Sequence, residues 1–253
     1  MSLPEMTAVV TGAGSRRGIG RATALALAAA GWHVAALDLD GAGAEATAAE
    51  VAETHGVGAR GLLADVTDPT SLDAALVRVE AELPPVGALV NNAGITSPTP
   101  FLEVGGDEWE RLFAVNVHGA FHVTRRLLPG MVERGFGRVV FLSSVSAERG
   151  GGVFGGVGYS AAKAAQLGFA RALAREVAPS GVTVNAVAPG LIETDITGDA
   201  FTGERGDDFR AGVPVGRLGR TSDVADVIVF LCRAGSDYIT GATYDINGGS
   251  HIH

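Results

Sequence analysis

Cysteine occurs once in this chain, at Cys232. A lone thiol cannot close an intrachain disulfide. Its setting beside Phe230 and Leu231, in an apolar run, predicts a buried and unreactive side chain. Lysine is equally scarce: of the 19 basic residues, all but Lys163 are arginine. The basic residues form no run, and the formal charge is −9. Nucleic acid and anionic membrane surfaces are therefore not expected partners, and the acidity serves solubility. No uncharged apolar stretch suits a membrane span. Ala22 to Leu37 comes nearest, but Gly31, Trp32 and His33 divide it into helix, turn and strand. Met1 to Val10 lacks the basic-then-apolar order of a signal peptide. Together these features predict a cytoplasmic protein. Six histidines are present. His118 and His122 share a helix face, and His251 and His253 flank Ile252. No cysteine or carboxylate pattern of zinc spacing accompanies them, so no metal is expected. The Gly-x-Ser-x-Gly elbow of hydrolases and the Gly-Lys-Ser/Thr ending of a phosphate loop are both missing.

What is present is apolar material in alternation. Hydrophobic residues make up 47% of 253 positions, enough for a core on both faces of a sheet. Thr7–Val10, Val34–Leu37, Ala88–Val90, Val139–Leu142, Thr183–Val187 and Ala242–Ile246 read as strands. Arg21–Ala30, Ala42–Glu53, Ser71–Glu82, Asp107–Arg134, Tyr159–Val177 and Ser222–Cys232 read as helices. This order predicts an α/β fold, a single Rossmann-like domain over 1–253, with a doubly wound parallel sheet and helices on both faces. There is no internal repeat, and the Gly-rich stretch 150–158 is short. Ligands of such sheets bind beyond the carboxyl ends of the strands.

The residues after successive strands bear this out as a pattern. Thr11 to Gly20 forms a Gly-rich turn leading into a helix. Glycine there permits a tight turn and lets backbone N–H groups approach a pyrophosphate. Gly12, Ser15, Arg17, Gly18 and Ile19 are its candidate cofactor contacts. Asp38 follows the second strand and can accept from the adenosine ribose hydroxyls while repelling a 2′-phosphate. Asp65-Val66 follows the third apolar run, and Asn91-Asn92-Ala93-Gly94 the fourth.

With these motifs the chain resembles the short-chain dehydrogenase/reductase family over nearly its whole length. The resemblance implies adenine contacts from Asp65 and Val66 and ribose-side contacts around Asn91, Ala93 and Gly94. It implies that Pro189, Gly190 and the residues to Thr194 line the nicotinamide, Ile192 through its backbone and Thr194 through its hydroxyl. The first glycine turn is two residues longer than the family's usual one, with Arg16 and Arg17 inserted. An arginine there accompanies NADP(H) use in the family, whereas Asp38 points to NAD(H). Asp38 is given more weight, because a carboxylate facing a phosphate is directly repulsive. NAD(H) is thus the expected cofactor, with NADP(H) as the alternative.

Tyr159 and Lys163 stand four apart at a helix start, so phenol and amine share a face. A nearby cation favours phenolate, which suits general acid–base work near neutrality. The strand Val139–Leu142 ends in Ser143-Ser144-Val145-Ser146, where a hydroxyl can hold a substrate oxygen. The resemblance assigns that role to Ser144, although the usual count to Tyr159 would fit Ser146. With residues 150–156 read as a loop insertion, Ser144 is favoured and Ser146 becomes a substrate-facing neighbour. It makes Asn116 the fourth catalytic residue, holding a water that links Lys163 to solvent. The resulting expectation is an oxidoreductase transferring a hydride between a nicotinamide cofactor and a secondary alcohol or ketone. The alternatives are a 3-oxoacyl-carrier-protein reductase using NADPH and a non-catalytic NAD(P)-binding sensor. Residues 195–213 are expected to cover a small-molecule substrate. The chain is expected to form a homo-oligomer, a tetramer through the helices Asp107–Arg134 and Tyr159–Val177 and the segment Ala242–Gly249.

Overall fold

A computed structural model describes residues 5–152, 154–195 and 203–252. Among them runs a seven-stranded sheet in the order β3-β2-β1-β4-β5-β6-β7. Its strands are β1 Thr7–Thr11, β2 His33–Asp38, β3 Ala59–Leu63, β4 Val86–Asn91, β5 Gly137–Leu142, β6 Val182–Pro189 and β7 Thr243–Ile246. Every pairing is parallel. The helices are α1 Ile19–Ala29, α2 Gly41–His55, α3 Pro69–Glu82, α4 Gly106–Phe113, α5 Ala120–Glu133, α6 Ser146–Arg149, α7 Val157–Val177, α8 Gly203–Ala211 and α9 Thr221–Cys232. Among the described residues, no helix is long and apolar enough to cross a membrane.

The alternation of side chains along each strand sends two sets of apolar groups to opposite faces. Val9, Leu37, Leu89 and Phe141 join one core with α3, α5 and α7. Ala8, Val10, Val90 and Leu142 join the other with α1, α2 and α9. The central strands β4, β5 and β6 are buried along their entire length, which is why they read as unbroken apolar runs. β3 lies at the edge, with exposed residues among buried ones. Helix starts follow local chemistry. Asp40 caps α2 by accepting from Gly43 N, and Asp68 caps α3, with Pro69 in its first turn. Cys232 is fully buried, and burial pushes its thiol up to about 12, in keeping with an unreactive side chain.

The helix expected over Asp107–Arg134 is not continuous. A π-helical turn, Ala114–Gly119, separates α4 from α5. The Asn116 amide explains the break: Nδ2 donates to Leu112 O at 2.9 Å and to Ile95 O at 3.0 Å. A side chain that takes a carbonyl four residues back competes with the helical ladder. Two helices were not read from the sequence, the one-turn α6 and α8. Of the expected covering segment 195–213, residues 196–202 lie outside the described residues, and α8 occupies most of the remainder.

Candidate active site

The strand order reverses between β1 and β4, which opens a crevice at their carboxyl ends. A cleft of about 640 Å³ lies there. Its rim is built by the turns after β1, β2, β3, β4, β5 and β6.

On the nucleotide side the glycine turn is wedged against the turn after β4. Thr11 Oγ1 accepts from the backbone N–H groups of Asn92 and Ala93, and Asn92 Nδ2 donates to Thr11 O and Gly12 O. A Cβ on Gly12 would meet Ala93 Cα at 2.8 Å, and one on Gly20 would meet Gly12 O at 2.2 Å. The glycines are thus required by backbone approach, and the same approach forms a cradle beside the α1 N-terminus. Gly12, Ser15, Gly18, Ile19, Asp38, Asp65, Val66, Ala93 and Gly94 all line the cleft. Asp38 is immobilised: one carboxylate oxygen accepts from Gly14 N at 2.7 Å, the other from Asp40 N at 2.9 Å.

Two expected contacts are placed differently. Asn91 does not line the cleft. It is the last residue of β4, and its side chain points into the α5 side, donating to Thr124 Oγ1. Asn92, one residue on, faces the opposite way and forms the wall. Arg17 also stands off the cleft. Its N–H donates to Asp195 Oδ2 at 2.9 Å, and its guanidinium lies 3.7 Å from Asp195 Oδ1. Ser15 Oγ donates to the same carboxylate at 2.6 Å, and these bonds hold Asp195 below the usual carboxylate range. Asp195 thereby joins the glycine turn to the segment after β6, a contact with no signature in the sequence. From that segment Pro189, Gly190, Ile192 and Thr194 line the cleft as expected.

On the chemical side, Ser144, Ser146, Tyr159 and Lys163 converge. The Ser144 hydroxyl lies close enough to the Tyr159 phenol to favour its charged form, and Ser144 Oγ accepts from Ser146 N at 3.1 Å. Gly155 lies directly over the ring: a Cβ there would meet Tyr159 Cδ1 at 2.5 Å. Lys163 is buried, with Nζ donating to Leu142 O at 2.6 Å and lying 5.8 Å from the Tyr159 ring centroid. Burial pushes the Lys163 amine down to about 7. The expectation that Lys163 holds the phenol low is not met in this arrangement. Burial raises the Tyr159 pKa, and the nearby Ser144 hydroxyl offsets it only in part. Asn116 is fully buried, and its Oδ1 has no hydrogen-bond partner. That oxygen lies beside Gly94, where a Cβ would meet it at 2.7 Å and Lys163 Nζ at 3.3 Å. A backbone cradle and an immobilised acid along one cleft, with an orphaned acceptor buried behind Gly94, fit a dinucleotide cofactor.

A family described as enoyl-(acyl carrier protein) reductase matches residues 12–251. An uncharacterized short-chain type dehydrogenase/reductase of Sinorhizobium fredii is 45% identical over 253 residues, 100% of each chain. The 3-oxoacyl-(acyl-carrier-protein) reductase FabG of Escherichia coli is 40% identical over 252 residues, again 100% of each. A solved short-chain dehydrogenase/reductase from Brucella melitensis, described as glucose/ribitol dehydrogenase, superposes with a TM-score of 0.88. It is 33% identical, and the match covers 100% of this chain and 99% of that one. The chain belongs to the short-chain dehydrogenase/reductase family. It is an oxidoreductase that works with a nicotinamide cofactor on a secondary alcohol or ketone.

Proposed function

We propose that Tyr159 is the general acid and base of this reaction, that Ser144 orients the substrate oxygen, and that NAD(H) is the preferred cofactor. The convergence of Tyr159 and Ser144 on the cleft wall, with the Ser144 hydroxyl acting on the phenol, carries the first two assignments. A substrate oxygen taking the place between the two hydroxyls accepts from Ser144 and exchanges a proton with Tyr159. Lys163 and Asn116 stand behind the phenol and hold the proton path and ribose side, and Ser146 faces the substrate. Bound in the cradle, the nicotinamide cofactor supplies or takes up the hydride. α8 covers the substrate: its Phe209 lies 6.4 Å, ring to ring, from Phe154 on the cleft rim. The chain works as a single domain over 1–253.

The cofactor preference rests on Asp38. Both its oxygens are tied to backbone N–H groups, so the carboxylate cannot swing away from a 2′-phosphate. Arg17, the residue that would favour NADP(H), faces Asp195. A second reading, reduction of a 3-oxoacyl thioester with NADPH, is favoured by the 40% identity to FabG.

Fluorescence titration with NADH and NADPH separates the two. NADH is expected to bind more tightly, and Asp38→Ala should shift the preference toward NADPH. Tighter NADPH binding by the native protein would overturn the weight placed on Asp38. Tyr159→Phe is expected to cost about 10² to 10⁴ in kcat while cofactor binding persists. Most of the activity surviving in that variant removes Tyr159 from its role. A panel of acetoacetyl thioesters, secondary alcohols and polyols then fixes the substrate class.

A further inference from the structure

We propose that Gln166 is a positioning residue of the hydride-transfer site, holding the Lys163 amine and the Asn116 carbonyl at one fixed spacing. The role holds only with Lys163 and Asn116 acting as proposed above.

Gln166 follows Lys163 by three positions on α7, so the two side chains share a face. It is fully buried. A buried amide is costly unless its donors and acceptor are used, and a leucine would fill the same stripe of α7 at no such cost. Here both ends are used on the site. Nε2 donates to Asn116 O at 2.6 Å, and Oε1 accepts from Lys163 Nζ at 3.5 Å. The Asn116 carbonyl lies in the π-helical turn, where the regular helical ladder is broken. Gln166 thus clamps that turn to α7. An ammonium has three donors. Leu142 O and Gln166 Oε1 take two of them, and the third is left for the space at Gly94, beside which the unpartnered Asn116 Oδ1 also lies.

The groups facing Lys163 are few. β5 presents the Leu142 carbonyl, α7 presents Tyr159 and Gln166, and the π turn presents the Asn116 amide across Gly94. Among the described residues no carboxylate or second cation is paired with it, and burial alone lowers its pKa. A change at Gln166 therefore registers directly on the titration of Lys163.

Because the chain has one lysine, protein grown on ε-13C-lysine gives one Cε resonance. Its pH titration is followed in the native chain, Gln166→Leu and Gln166→Glu, together with the pH profile of kcat at saturating cofactor and substrate. In Gln166→Glu a carboxylate beside Nζ should raise the Lys163 midpoint by about one unit. In Gln166→Leu the midpoint should fall, because an acceptor for the charged form is lost. There kcat should drop about tenfold or more through misplacement, with the kcat profile moving in step with the resonance. Should Gln166→Leu fail to fold, Gln166→Glu decides alone. A resonance midpoint unchanged in the folded variants refutes the role of Gln166 and leaves Lys163 untouched. A shifted resonance with an unshifted kcat profile refutes the catalytic assignment of Lys163, and the positioning role falls with it.

Discussion

Lys163 is held where its own charge is disfavoured, and the protein's stability should record this. Its amine titrates near 7 in the fold against about 10.4 when exposed. Between those values the unfolded chain binds the extra proton, so stability rises with pH across that window and the full penalty applies below it. Above pH 9 the buried Cys232 thiol, pushed up to about 12, acts in the opposite sense, so the clean range is pH 7 to 9. Lys163→Met is therefore expected to be inactive yet to melt higher than the native protein at pH 7. The pH dependence of its Tm should also be flatter between pH 7 and 9. Equal slopes in scanning calorimetry would mean that Lys163 is not buried as a charge. The pairing of Tyr159 with Lys163 was legible at this scale, since a four-residue spacing on a helix fixes a shared face. The exchange of Asn91 for Asn92 on the cleft wall was not. Adjacent residues at a strand end point to opposite faces, and only the register of β4 against β1 and β5 tells which one looks outward.

The loop between β5 and α7 is the element that sets the active-site ceiling. Gly150, Gly151 and Gly152 have φ values of 76°, 60° and 135°, conformations that glycine alone adopts without strain. These three residues turn the inserted chain back over the cleft, and Gly155 then rests on the Tyr159 ring. Gly155→Ala is expected to push the ring off Ser144 and reduce kcat by about ten- to a hundredfold. The variant should remain folded, since the loop belongs to neither hydrophobic core. Undiminished turnover in that variant would show that the ring has room to move. The long spacing from Ser144 to Tyr159 is the signature of this loop in the sequence. The π turn was hidden for a different reason. Periodicity over Asp107–Arg134 is nearly helical throughout, and the break comes from hydrogen bonds that Asn116 makes to Leu112 and to the distant Ile95.

At the scale of the whole molecule, the expected tetramer through Asp107–Arg134 would bring α5 against a second copy. A groove of about 610 Å³ between α3 and α5 is lined by Pro69, Leu72, Phe121 and Pro129, with Arg125 and Arg126 beside them. Phe121 is 43% exposed there. A single self-complementary patch gives a two-fold dimer, and a second one is needed for a dihedral tetramer. Multi-angle light scattering should report a tetramer at micromolar concentration, and Phe121→Asp should shift it toward smaller species. A native monomer would defeat the expectation. The doubly wound α/β class, the run of strand ends bearing small or acidic residues, and the Tyr159–Lys163 pair were all determined by the sequence itself. They depend on periodicity, on backbone chemistry at turns and on short helical spacings, which act within a few residues. The tertiary structure alone decided that Asp195 meets Ser15 and Arg17, that Asn92 pins the glycine turn, and that Gln166 joins Lys163 to Asn116. Those contacts link residues 180, 178, 81 and 50 positions apart, brought together by the closure of separate elements around one core. Burial decided the charge states as well, because the dielectric around Lys163 and Tyr159 is a property of everything packed about them.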